Sequence, residues 1–135
     1  MSTRQTITGR IAKVDEDRRL VFGWAYVAVD KSGTAVVDHS GDVMDVDSLE
    51  DVVYDYVVES REGNVMHAGE PVSTLVESVM LTPEKLQKMG IADAPQAAWW
   101  VGFRVNDDAV WQRVKSGELA AFSIEGMGMR EELAA

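Results

Sequence analysis

The stretch TITGRIAKVDEDRRLVFGWAYVAV, residues 6–29, constrains the fold more than any other part of the chain. Ile7, Ile11, Val21, Phe22, Trp24 and Tyr26 supply β-branched and aromatic bulk in two segments, and the charged run DEDRR between them is too short for a crossover helix. The stretch reads as two β segments joined by a charged turn, and with it the chain does not open on a strict βαβ alternation.

The remaining segments extend this pattern. DKSGT breaks it, and AVVDHSGDVM reads as a short third strand running into a Gly-Asp turn. From Asp47 to Arg61, Leu49, Val52, Val53, Tyr56 and Val57 recur at helical spacing, while Glu50, Asp51, Asp55 and Glu59 take the wet face. Asp47 or Ser48 is the expected cap of this helix, and EGN its stop. VSTLVESVML is strand-like. Thr82-Pro83-Glu84 starts a second helix that ends at Gly90.

ADAPQA then reads as a surface loop and WWVGFRV as a bulky strand. NDDAVWQRVKSG is a third, capped helix with Val110, Trp111 and Val114 inward and Gly117 as its stop, and ELAAFSIEGMGM forms the last strand. The order β-β-β-α-β-α-β-α-β predicts an α+β fold, a largely antiparallel barrel or sheet with peripheral helices. At 135 residues the expectation is a single domain, 1–135, with residues 1–6 and 130–135 frayed.

Composition narrows the chemistry. With no cysteine, thiolate catalysis, disulfides and zinc–cysteine sites are excluded. A net charge of −10 argues against general binding to phosphate backbones or anionic lipid, so neither nucleic acid nor membrane is expected as a partner. The N-terminus MSTRQTITGR lacks the apolar region of a signal peptide, and no run of about 18 apolar residues is present. The acidic segment DHSGDVMDVD lacks the ligand spacing and closing glutamate of a calcium loop, so no metal or cofactor is assigned.

Two histidines, His39 and His67, are the only imidazoles available as a base. His67 stands in GNVMHAGE, with glycines on both sides. Ser123, in AFSIEG, shares a strand face with Ala121 and Glu125, and reads as a small packed residue or as a nucleophile. Glu77 stands in the apolar strand TLVESVML on the face of Leu75 and Val79, where burial would demand a partner: Arg104 in a salt bridge, or a histidine to orient. Gly126 and Gly128 fit a close backbone approach to a ligand, an oxyanion hole or a strand bulge. Of Trp99 and Trp100, one ring is expected inward and the other over a neighbouring element, with a peptide groove as the alternative.

SGDVMDVDSLEDVVYDYV, GNVMHAG, LVESVMLTPEKL and WWVGFRVNDDAVWQRVKSGELAAFSIEGMG, in this order, resemble the XkdF-like prohead maturation proteases of phages. The likeness covers about residues 20–129 and is most specific at its close, where VWQRVKSGE leads into FSIEG. It implies a serine endopeptidase with a herpesvirus-protease-like fold, a small, mostly antiparallel β barrel with peripheral helices. Carried across by position, Ser123 falls on the nucleophile and His67 on the general base. For the third member Glu77 is preferred over Asp42 and His39, since few residues follow Ser123 and Glu131 and Glu132 sit near the end of the chain. Gly126 and Gly128 fall to the oxyanion or substrate groove. The resemblance further implies major capsid protein or scaffold segments as substrate, inside an immature capsid in the host cytoplasm, with homo-oligomerisation left open. The alternative of another class is a capsid-assembly or scaffold-binding module that keeps the fold without turnover.

Overall fold

A computed structural model describes residues 6–37, 43–59, 62–64, 71–125 and 129–132. Its opening segments form the expected hairpin, β1 (Thr6–Asp15) and β2 (Leu20–Val29), paired antiparallel from Arg10–Trp24 to Asp15–Leu20. Asp15 closes the turn by accepting from the Arg18 backbone N–H at 3.1 Å, and Arg19 takes φ = 57° to complete it. After β2, the described part of the expected third strand shows one bridge, Val29–Ala35, with the Val36 N–H bonded to the Ala28 carbonyl and the Asp30 N–H to the Thr34 carbonyl. Asp30 takes up the neighbouring donors instead: its carboxylate accepts from Ser32 N, Ser32 Oγ and Thr34 N, and this turn competes with strand pairing. Residues 38–42, with His39 and Asp42, lie outside the described residues.

Helix α1 (Val46–Glu59) begins one residue before the expected start, because the cap is Asp45 rather than Asp47 or Ser48. Its carboxylate accepts from Ser48 N at 2.8 Å and from Ser48 Oγ at 3.0 Å, so Ser48 donates to the cap instead of being one. Leu49, Val53 and Tyr56 of the apolar stripe are buried. The EGN expected to be only a helix stop is a short strand, β3 (Glu62–Asn64).

The longest strand is β4 (Pro71–Leu81), and α2 (Pro83–Met89) follows with Thr82 as cap and Gly90 at φ = 71° as its end. Strand β5 (Ala97–Val105) and helix α3 (Asp108–Lys115) occupy the expected positions. The single last strand divides into β6 (Ala121–Glu125) and β7 (Met129–Glu132), an antiparallel pair with Phe122 opposite Glu131. Residues 130–132 and Thr6, expected in frayed ends, are therefore paired strand residues.

The expected α+β class and antiparallel sheet are present, with β6, β1, β2, β5 and β4 as successive antiparallel neighbours. The full neighbour order β1-β2-β5-β4-β3-β7-β6 returns to β1. Its thinnest link is β3 to β7, parallel and represented by one residue pair, Gly63–Met129, so closure of the expected barrel rests on that pair.

One face of this sheet meets α1. Val21, Val101, Phe103, Trp99 and Met80 are buried with Leu49, Val53 and Tyr56, and the Tyr56 ring meets Trp99 edge-on at 5.6 Å. Trp100 turns the other way, stacked on Phe22 at 6.3 Å and edge-on to Trp24 at 5.0 Å. The tryptophan pair thus packs inward and over a neighbouring strand, in line with the alternation of a β strand.

Candidate functional site

The route into Ser123 is built by α3 and the turn behind it. Asp107 caps α3 by accepting from Val110 N at 2.9 Å, while Trp111 and Val114 bury the inner face. Gly117 at φ = 85° ends it, a backbone conformation that costs glycine little. Leu119 is buried, its N–H bonded to the Arg113 carbonyl at 3.0 Å, and Ile11 N–H then takes the Ala120 carbonyl at 2.9 Å. These contacts set the register of β6 against β1. They put Ser123 opposite Thr8 on one side and opposite Arg130 on the other, inside the sheet rather than at its rim.

His67 lies outside the described residues, as do Gly126 and Gly128. The backbone around them is informative nonetheless. His67 belongs to the six-residue connection from β3 to β4, whose base is the pair Asn64–Pro71. Gly63 of β3 pairs with Met129, and Met129 pairs with Ile124, the neighbour of Ser123. The strand leading into the His67 connection therefore runs two strands from Ser123 and at its level, about 10 Å across the sheet at ~4.8 Å per step. Gly126 and Gly128 fall in the connection between β6 and β7, which begins immediately after the Ser123 strand.

Glu77 departs from expectation. Leu75 pairs with Phe103 and Glu77 with Gly102, so Val76 is an extra residue in β4. This bulge breaks the period of two: Ser73 and Met80 are buried, whereas Val76 and Glu77 are both exposed. Glu77 consequently does not share a buried face with Leu75. It forms no hydrogen bond or salt bridge with Arg104 or with any other residue among those described. It also stands six residues along β4 from Pro71, roughly 20 Å at ~3.3 Å per residue, away from the base of the His67 connection. The backbone thus places β3, which precedes the His67 connection, two strands from the Ser123 strand, and Glu77 far along β4 from the base of that connection.

Sequence reasoning missed the surroundings of Glu77. A groove of about 430 Å³ runs between α1 and β4, lined by Val53, Tyr54, Val57 and Val58 from the helix and by Leu75 to Ser78 and Met80 from the strand. Exposed Tyr54 and Val58 on one side of α1 were the available signal, since the same helix also carries a complete inward stripe.

The family model described as "Putative phage serine protease XkdF" matches residues 8–132. The chain is also 24% identical over 111 residues to the protein named "Phage-like element PBSX protein XkdF" of Bacillus subtilis (strain 168). That alignment covers 82% of this chain and 38% of the Bacillus protein, so the chain spans well under half the length of that relative. No solved structure matches it. With a family model covering β1 through β7, the chain belongs to the phage serine protease XkdF family.

Proposed function

We propose that this chain is a serine endopeptidase of phage prohead maturation, cleaving scaffold or capsid-protein segments within the immature capsid. The observation that supports it most is the register: the strand entering the His67 connection lies two strands from Ser123 and level with it. A connection of six residues has the reach to bring an imidazole over the intervening strand, since an extended chain spans ~3.3 Å or more per residue. The ring of strand neighbours supports a small barrel of the herpesvirus-protease type.

In this reading Ser123 Oγ attacks the scissile carbonyl while His67 takes its proton. His67 then returns that proton to the departing amine, and water, deprotonated by the same imidazole, hydrolyses the acyl-enzyme. Backbone N–H groups near Gly126 and Gly128 hold the oxyanion. The exposure and register of Glu77 do not support it as the group that orients His67, so the working unit is the Ser123–His67 pair.

The test is cleavage of the cognate capsid and scaffold proteins, followed by gel and mass spectrometry, together with labelling by a fluorophosphonate. The native chain should cleave and be labelled at Ser123, and Ser123→Ala should do neither. A native chain that binds capsid protein but is inert to both cleavage and labelling would instead identify a non-enzymatic assembly module.

A further inference from the structure

The open side of β4 runs beside a groove. Ser73 and Thr74 of β4 are paired on both sides, by β5 and by β3, but beyond Thr74 the strand has only β5 as a neighbour among the described residues. The Met80 carbonyl accepts from Lys85 Nζ at 2.9 Å and so faces away from β5. Strand alternation turns the N–H and C=O of Ser78 to that same side, where neither has a protein partner among the described residues. The groove described above lies along this edge. Its volume falls within the usual range of about 300–1,000 Å³ for ligand sites.

The walls are apolar, with Val76 43% and Val58 76% exposed, and the rim is acidic. Glu77 is exposed at one end, with no partner among the described residues, and Asp51 and Asp55 stand on the outer face of α1. A cation in the vicinity, Lys85, is held by Glu50 at 3.8 Å, by Tyr54 Oη and by the Met80 carbonyl. The bulge at Val76 and the overhang of α1 prevent a flat sheet from stacking on this edge. A second copy pairing here would also bring two Glu77 carboxylates together, which is unfavourable. A single slim strand with a basic side chain meets neither obstacle.

We propose that this edge is a docking strand for an extended peptide segment, added to β4 between Leu75 and Met80, with apolar side chains in the groove and a lysine or arginine at Glu77. Main-chain hydrogen bonds to Ser78 supply the attachment, and the groove and Glu77 supply the selectivity. The surface is separate from the Ser123 strand, and the proposal stands whether or not the chain is a protease.

The native chain is titrated with a capped heptapeptide alternating threonine and valine around a central lysine (TVTKTVT), and with its glutamate counterpart (TVTETVT), observed by amide NMR. Two reporters sit at the edge: the Ser78 amide and the indole N–H of Trp99, which donates to Ser78 Oγ at 2.9 Å. We expect saturable shifts at both reporters, with the lysine peptide bound about three- to tenfold more tightly, as for a partly exposed ion pair. In Glu77→Lys, a surface change compatible with folding, the order of the two peptides should reverse. Absence of saturable shifts, shifts centred on another strand, or an unchanged preference in Glu77→Lys would each overturn the proposal. Concentration-dependent protection of the Ser78 amide without peptide would overturn it in favour of a second copy of the chain.

Discussion

Gly102 lies against the ring of Phe22: a β-carbon at position 102 would stand 2.8 Å from both Cδ1 and Cε1 of that ring, and 3.3 Å from the Glu77 β-carbon. The ring has little freedom to yield. It is itself buried, stacked against Trp100, with Lys13 Nζ 5.1 Å from its centroid. Gly102→Ala is therefore an overpacking change and should cost about 1–3 kcal/mol. Urea unfolding should show a lower midpoint with an unchanged slope. Phe22→Leu in the same chain should recover part of the loss, because the two positions share one contact.

Ser78→Ala tests the other face of the same sheet region. Trp99 is fully buried, and its indole N–H has the Ser78 hydroxyl as acceptor. Removing that oxygen leaves a buried donor unsatisfied, at a cost of about 1–3 kcal/mol. Ser78→Thr, which keeps the hydroxyl, should lose less; equal losses in the two variants would show that the hydrogen bond is not what stabilises the site.

Acid should weaken the loop-and-cap region between β2 and α1. The Ser48 backbone N–H, then the Ser48 hydroxyl, hold the Asp45 carboxyl below its ordinary value of 3.8. The Ser32 hydroxyl and then the Thr34 N–H do the same for Asp30. A carboxyl whose pKa is lowered on folding contributes stability that is fully present above the ordinary value and is lost as the pH falls through the lowered one. The stability curve should therefore decline below about pH 4, and Asp45→Asn, which keeps an acceptor for Ser48 N–H but has no charge to titrate, should flatten that decline. An acid limb identical to the native one would remove Asp45 from the explanation.

Ser123 and His67 should behave as one unit in cleavage. If His67 serves Ser123, Ser123→Ala and His67→Ala should each lower kcat by several orders of magnitude, and the double variant should lose no more than the worse single one. Losses that add in the double variant would mean that the two residues act independently. Glu77→Gln, in contrast, should leave kcat within a few-fold of native, since the carboxylate stands about 20 Å along β4 from the His67 connection.

How far the sequence could be read varied with the kind of information each element needs. Local signals carried α2 and α3: Thr82 and Asp107 accept from backbone N–H groups three residues ahead, and Gly90 and Gly117 take the left-handed backbone that ends each helix. The inward stripe of α1 was equally legible, but its cap was not, because Asp45, Asp47 and Ser48 all have the chemistry of a cap and only geometry selects one. The start of AVVDHSGDVM has the composition of a strand, yet just before it Asp30 gathers the local donors into a turn, and Ala35 forms one bridge with Val29.

By itself, then, the sequence determined the α+β class, the types of most elements and the family, through periodicity, capping chemistry and the order of its segments. Tertiary structure alone decided the three-residue β3, the division of the last strand into β6 and β7, and the bulge that turns Glu77 outward. It also decided that the strand before His67 and the strand of Ser123 lie two places apart. The physical reason is that propensity acts between neighbours in the chain. Register, bulges and strand order are set by partners far away in sequence, whose backbone hydrogen bonds and packing exist only once the sheet has assembled.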